Sequence, residues 1–342
     1  MKKVQIPLLV RQSVSSTLNY LYIRRTYMAL LLCTVIFITW SSARFPKYTM
    51  WLEERRFLPE RGAANIFFIE TTCAIEDLPW MGLRPRQACA VESAVRYNRG
   101  RPIYVLHTCE APTSDTWLPA GATAVHVVLA EFLRDTPLYA PLIENGALAR
   151  SKWPVHHASD VMRLVALWRY GGLYLDLDFV VLRNLSKMGE NWIAAESTYS
   201  LANGAMHMSS LPGSAGKELA NTYMETLRTE FDGQQWTSNG GAILKKLLLQ
   251  RCNVTKVMVM RNCRGFRVLG PALLYPVPFQ KWRKYFSEED TNSTLADMHR
   301  AYAAHVWNKL SEEAGVVPQN SAYAKLAREN CPNSFRAAAG HF

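Results

Sequence analysis

Two aspartates, Asp176 and Asp178, are the residues of this chain best suited to chemistry. They lie in Gly171-Gly172-Leu173-Tyr174-Leu175-Asp176-Leu177-Asp178-Phe179-Val180-Val181-Leu182, among apolar residues of high strand propensity. On a strand, alternation turns side chains at i and i+2 to one face. Two carboxylates there repel each other and resist desolvation unless a cation lies between them. A divalent ion such as Mg²⁺ or Mn²⁺ does that job, because it takes carboxylate oxygens together with the phosphate oxygens of a substrate. The bland alternative is a solvated strand end, which the apolar neighbours disfavour.

The preceding residues, Ser159 to Gly172, read as one helix. Ser159 suits the N-cap, Asp160 the positive helix start, and Gly171 or Gly172 the stop. Asp160 and Arg163 share a face at i,i+3. They are either a surface ion pair of little worth or a carboxylate and a guanidinium aimed at a polar ligand beside the metal. The residues alone leave both open.

Ser159-Asp160-Val161-Met162-Arg163, the apolar helix, Gly171-Gly172-Leu173-Tyr174-Leu175-Asp176-Leu177-Asp178-Phe179 and Val181-Leu182-Arg183-Asn184-Leu185 together resemble the core of the alpha-1,4-glycosyltransferase family. The likeness extends to Phe67-Phe68-Ile69-Glu70-Thr71, Asn203-Gly204-Ala205, Tyr275-Pro276-Val277-Pro278 and His305-Val306-Trp307-Asn308-Lys309, and so spans most of the chain after Asn65. It implies an α/β fold of GT-A type with a mostly parallel central sheet. It also implies a retaining, Mn²⁺-dependent transfer of a hexose (galactose or an N-acetylhexosamine) from a UDP-sugar in alpha-1,4 linkage. Glycolipids such as lactosylceramide, or other glycans, are the implied acceptors.

By the same resemblance Asp160, Arg163, Asp176 and Asp178 form the catalytic set, and Asp176, Asp178 and His305 hold the metal. Phe68, Glu70, Thr71, Asn203, Gly204 and Trp307 line the donor site. Ser238, Asn239 and Gly240 form a polar loop for the acceptor, although ordinary turn chemistry explains Asn239-Gly240 as well. Alternation would place His305 and Trp307 on one face. No second catalytic carboxylate announces itself. Two segments depart from the family pattern, at Gly241 and at Ala272, where relatives carry proline and glutamate. An inactive homologue serving as a sugar-binding or escort protein is the alternative, which the costly carboxylate pair disfavours.

Around these residues the chain reads as an alternation of strands and helices. Strands are expected over 65–70, 102–107 and 123–129, an amphipathic helix over 86–97, and a helix over 153–170 feeding the aspartate strand. Ligands of such sheets bind beyond the carboxyl ends of the strands, where Asp176 and Asp178 fall.

The net charge of +11 is mostly terminal: seven basic residues precede the first acidic one, Glu53, leaving +4 over the remainder. No nucleic-acid partner is expected, since no reader motif accompanies the charge. An apolar run over 27–43, 17 residues flanked by Arg24 and Arg25, is the length of a short membrane span. It predicts a cytoplasmic tail over 1–26, a signal-anchor over 27–43, a stem over 44–64 and a lumenal domain over 65–342. That topology is type II, and the expected compartment is the Golgi membrane. Six cysteines beyond the run suit an oxidising lumen, with Cys73–Cys89, Cys252–Cys263 and Cys109–Cys331 as the expected pairs. Asn184, Asn253 and Asn292 open glycosylation sequons; the latter two read as loop acceptors, and Asn184 as structural.

Overall fold

The computed structural model describes residues 26–28, 30–34, 58–72, 83–109, 118–256, 262–311, 315–338 and 342. Pro59–Phe342 forms one compact unit, and Met1–Leu58 a second. In the latter, residues 26–28 and 30–34 are helical and exposed. No helix among the described residues is long and apolar enough to cross a membrane. Most of the expected signal-anchor, at 29 and 35–43, and most of the stem lie outside the described residues, as does Cys73.

Seven strands form the main sheet: β1 (Ile66–Glu70), β2 (Ile103–His107), β3 (Thr123–His126), β4 (Gly172–Leu175), β6 (Trp192–Ala195), β7 (Leu201–Met208) and β8 (Arg267–Leu269). Their spatial order is β3-β2-β1-β4-β7-β6-β8. All pairings are parallel except those of β7 with β4 and β6. This is the α/β class with a mostly parallel sheet that the sequence implied. Strand β1 shows why: Phe67 and Ile69 enter one core and Ile66 and Phe68 another. A strand apolar on both faces is stable only when helices cover both sides. The Pro154–Tyr170 and Ala215–Glu230 helices bury Val161, Leu164, Leu167, Leu219 and Leu227 in the first core. The Pro85–Tyr97 helix buries Ala90, Val91 and Ala94 in the second.

A separate two-stranded ribbon pairs β5 (Phe179–Val181) with β9 (Ala303–His305), antiparallel, with Phe179 opposite His305. A third core cluster, including Val180, Ala304 and Tyr323, lies behind it. Cys89–Cys331 ties the Pro85–Tyr97 helix to the C-terminal helices, and Cys252–Cys263 closes a short loop. The second pair is as expected. The first replaces Cys73–Cys89 and Cys109–Cys331, because the Pro85–Tyr97 helix packs against Ala322–Asn330 and Pro332–Ala337, a long-range contact that spacing cannot reveal. Asn184 caps a short 3₁₀ turn, its Oδ1 accepting from the Ser186 N–H at 2.9 Å. Asn253 takes the left-handed position after a helix, whereas Asn292 lies within the Thr291–Asp297 helix rather than in a loop.

Candidate metal and sugar site

Asp176 and Asp178 do not share a strand. Strand β4 ends at Leu175, and the two aspartates occupy the turn into β5. The alternation argument therefore fails here, yet the carboxylates still converge. The Asp176 N–H donates to the Gly204 carbonyl at 2.8 Å, which pins the turn to β7. Across the ribbon, the Val306 N–H donates to the Asp178 carbonyl at 2.9 Å, which brings β9 alongside. His305 Nε2 thereby lies 2.9 Å from Asp178 Oδ1 and 3.9 Å from Asp176 Oδ2.

One ligand atom from each of Asp176, Asp178 and His305 falls within 4.8 Å of the others. Asp178 Oδ1 is buried and meets no donor among the described residues other than the His305 imidazole at 2.9 Å, while its Oδ2 accepts from the Asn308 N–H at 3.1 Å. A buried carboxylate oxygen that faces an imidazole and a second carboxylate fits a divalent cation. Burial works against the His305 imidazolium, but Asp178 and Asp176 outweigh it and push its pKa up to about 9. A cation entering the site must therefore displace that proton.

Arg163 is the hub behind the carboxylates. The helix spans Pro154–Tyr170, as expected over 153–170; Pro154 supplies the fixed φ of a first helical position, so Ser159 lies inside the helix rather than at its N-cap. Its hydroxyl is not a cap but accepts from Arg163 at 2.9 Å. The guanidinium also reaches Asp176 Oδ1 at 3.0 Å and Asp160 Oδ1 at 3.5 Å, and donates to the Asn203 carbonyl at 3.1 Å. It lies over the Tyr174 ring at 4.4 Å. Asp160 and Arg163 are buried, so of their two readings the surface ion pair does not hold. Burial pushes the Asp160 carboxyl up, against the pull of Arg163 and Asn203. Burial also pushes Asp176 up, but Arg163 and His305 prevail and hold it well below the usual carboxylate range. The Asp176 side chain nonetheless keeps 29% of its surface exposed, so the cluster opens to a ligand.

The remaining expected residues divide. Asn203 Nδ2 donates to Asp160 Oδ1 at 2.7 Å, in the cluster itself. Gly204 approaches Asp176 so closely that an added Cβ would sit 2.4 Å from Asp176 Oδ2. Trp307 packs on His305, with ring centroids 4.2 Å apart, although strand alternation does not put it there. Strand β9 stops at His305, and Trp307 turns to a φ of 58°, a strained conformation for a bulky residue. Phe68 is wholly buried in the core. Glu70 accepts from Gln87 Nε2 at 2.6 Å and from the Thr72 N–H at 2.8 Å, and Thr71 Oγ1 donates to the Val155 carbonyl at 2.9 Å. Asn239 is also wholly buried, its amide spanning the Asp232 N–H and carbonyl, which braces the loop. Ser238 Oγ donates to the Gln235 carbonyl at 2.8 Å, and Gly240 leaves room for Asn203.

Two tyrosines belong to the site without having been singled out for it. The Tyr174 hydroxyl donates to Asp176 Oδ1 at 2.6 Å, a position the i,i+2 spacing from Asp176 could have suggested. The Tyr275 hydroxyl is buried without a partner among the described residues, and an added Cβ on Gly204 would lie 3.1 Å from it. Burial, then Asp176 and Glu196, hold its pKa well above the ordinary phenol range, so it stays a neutral donor. A cavity of about 290 Å³ opens nearby, lined by Arg84, Gln87, Asn308 and Phe342 among others.

Comparison with known proteins finds the following likenesses. Residues 84–199 match the family profile described as the glycosyltransferase sugar-binding region containing the DXD motif. Residues 213–338 match the alpha 1,4-glycosyltransferase conserved region. Lactosylceramide 4-alpha-galactosyltransferase of Rattus norvegicus is 30% identical over 288 residues, covering 80% of this chain and 75% of that protein. Alpha-1,4-N-acetylglucosaminyltransferase of Homo sapiens is 27% identical over 267 residues, covering 73% and 75%. The galactosyltransferase LgtC, solved in complex with donor and acceptor sugar analogs, aligns over 80% of this chain and 99% of its own, at 13% identity and a TM-score of 0.36.

Proposed function

The chain belongs to the alpha-1,4-glycosyltransferase family, and from that premise we propose that it moves a hexose from a UDP-sugar, with retention and in alpha-1,4 linkage, onto a glycosphingolipid such as lactosylceramide. The observation that carries the reading is the convergence of Asp176, Asp178 and His305, with ligand atoms within 4.8 Å of one another, on an open face backed by Arg163. The transferred sugar is galactose or an N-acetylhexosamine, a reading supported by the likeness to a galactosyltransferase and to an N-acetylglucosaminyltransferase.

A Mn²⁺ held by the three residues would act as a Lewis acid on the diphosphate, stabilising the charge that gathers there as the glycosidic bond breaks. The chain's own residues do the rest. Arg163 and Tyr174 keep Asp176 ionised and fixed in direction. The Asn308 backbone N–H fixes the direction of Asp178. Asp160 and Asn203, joined at 2.7 Å, offer an acceptor and a donor to hydroxyls of the transferred sugar. The neutral Tyr275 hydroxyl beside Asp176 offers one more donor. The cavity by Arg84, Gln87 and Asn308 takes the nucleoside end, in a GT-A arrangement with Glu70 and Thr71 at the end of β1 nearby. Ser238 to Gly240 border the acceptor side through Asn203.

The apolar run over 27–43 with Arg24 and Arg25 before it supports a type II anchor in the Golgi membrane, with the catalytic unit in the lumen. A lumenal site also suits the disulfides Cys89–Cys331 and Cys252–Cys263.

The test is turnover of UDP-galactose, UDP-N-acetylgalactosamine and UDP-N-acetylglucosamine by the purified protein against a lactosyl acceptor, with and without Mn²⁺. Metal-dependent release of UDP with one donor, lost in Asp178→Ala, is the expected result. Folded protein that binds UDP and Mn²⁺ yet turns over no donor would overturn it in favour of a sugar-binding role.

A further inference from the structure

One aromatic group has no part in the chemistry above. Trp236 is 40% exposed. Its ring stacks on Trp153, with centroids 5.9 Å apart and planes 28° from parallel. His156 packs edgewise on Trp236 at 5.2 Å and on Trp153 at 6.2 Å. Large exposed apolar groups held in a cluster mark binding surfaces more often than singly scattered ones do.

The loop that carries Trp236 is fixed in place. The Lys152 N–H donates to the Gly233 carbonyl at 2.8 Å, and Ser151 Oγ donates to the same carbonyl at 3.2 Å. His157, wholly buried, bridges Ser151 Oγ at 2.7 Å and the Gln235 carbonyl at 3.1 Å. The indole pair is therefore preorganised, and a ligand loses little by ordering it.

Its place along the helix ties it to the carboxylates. His156, Asp160 and Arg163 stand at i, i+4 and i+7 of the Pro154–Tyr170 helix, on one face. One end of this stripe meets the tryptophans, and the other meets Asp176 at 3.0 Å. At 1.5 Å per residue the stripe spans roughly 10 Å. A saccharide ring next to the transferred sugar lies within that reach.

We propose that Trp236 and Trp153, edged by His156, form an acceptor subsite that takes the apolar face of a pyranose ring of the acceptor saccharide. The inference rests on the reading of the chain as a transferase onto a saccharide. A pyranose presents C–H groups on one face, which suit the electron-rich face of an indole, and its hydroxyls stay in water at the rim. Aromatic rings of this kind supply contact area at low conformational cost.

The experiment uses the full chain in detergent with lactose as the acceptor probe, comparing wild type, Trp236→Ala and Trp236→Phe. The Michaelis constants for acceptor and donor are measured, together with saturation-transfer NMR from the aromatic protons to lactose. Trp236→Ala raises the acceptor KM about tenfold, the size of one lost aromatic contact, with the donor KM held within about twofold. Trp236→Phe recovers most of the loss. An acceptor KM within twofold of wild type in Trp236→Ala overturns the proposal, and so does a parallel rise of both constants, which a misplaced loop would give. Saturation reaching lactose from wild type but not from Trp236→Ala, without turnover of any donor, keeps the subsite and removes the transferase reading. Turnover with no saturation of lactose removes the subsite and keeps the transferase.

Discussion

Gly204→Ala tests whether the carboxylate cluster depends on clearance at β7. An added Cβ would lie 2.4 Å from Asp176 Oδ2, against the 3.4 Å where ordinary contact begins. Asp176 must therefore retreat by about 1 Å, because Gly204 lies within β7 and its carbonyl already accepts from the Asp176 N–H at 2.8 Å, which leaves its backbone little freedom to yield. The carboxylate is held by the Tyr174 hydroxyl at 2.6 Å and Arg163 at 3.0 Å, and a shift of that size breaks one of these contacts. A charge-assisted hydrogen bond is worth about 2 kcal/mol, which corresponds to about thirtyfold in an equilibrium constant. The half-saturating Mn²⁺ concentration for donor turnover is expected to rise by that factor. Global stability should fall by only about 1–3 kcal/mol, as for other overpacked sites. The assay is a Mn²⁺ titration of turnover, paired with the Mn²⁺-induced rise in Tm so that binding is read apart from chemistry. A Gly204→Ala protein whose half-saturating Mn²⁺ concentration stays within threefold of wild type would refute the steric reasoning and the placement of Asp176 at the metal.

Arg163→Lys keeps the charge but loses the planar fork that serves Ser159, Asn203, Asp160 and Asp176 together, so kcat/KM should fall at least about thirtyfold. Circular dichroism and steady-state kinetics measure it, and near-normal turnover would show that one point charge suffices. His207 governs acid stability. It is 3% exposed and shared between the Asn191 N–H, at 3.2 Å, and the Ala63 carbonyl, at 3.0 Å, and burial lowers its pKa to about 4. The unfolded imidazole takes a proton below about pH 6.5 while the folded one refuses it until about pH 4, so stability is full above 6.5 and falls by roughly 3 kcal/mol on the way down. Urea unfolding at pH 7.5, 5.5 and 4 should show that slope in wild type and lose it in His207→Asn. Replacing Cys89 and Cys331 together by serine should cost about 2–5 kcal/mol, since the link closes a loop across most of the unit; equal urea midpoints would count against it.

What the sequence made legible depended on whether the signal was local. The apolar stretch Ile66-Phe67-Phe68-Ile69 requires cover on both faces, and it gets it. Gly171 and Gly172 stop the helix as expected, for they take φ of 73° and 115°, and a Cβ on Gly172 would meet the Asn65 carbonyl at 2.5 Å. The aspartate pair was right about convergence and wrong about its cause. Alternation along a strand needs the strand to continue, but β4 ends at Leu175, and a turn aims both carboxylates instead. The same limit applies to Trp307, where a left-handed φ rather than strand pleat sets the ring against His305. Residues joined by the fold rather than by spacing stayed hidden. Tyr275 comes beside Asp176 from a position just after a 3₁₀ turn, 99 residues away, and Cys89 meets Cys331 across 242. Asn239 shows the converse case: its type suggested a ligand contact, but the fold directs its amide to Asp232, where a buried amide must be satisfied internally. Spacing thus identifies a reactive pair when the chain between its members is too short to separate them, whichever backbone conformation it adopts. Third ligands and supporting donors come from elements whose approach only tertiary packing decides.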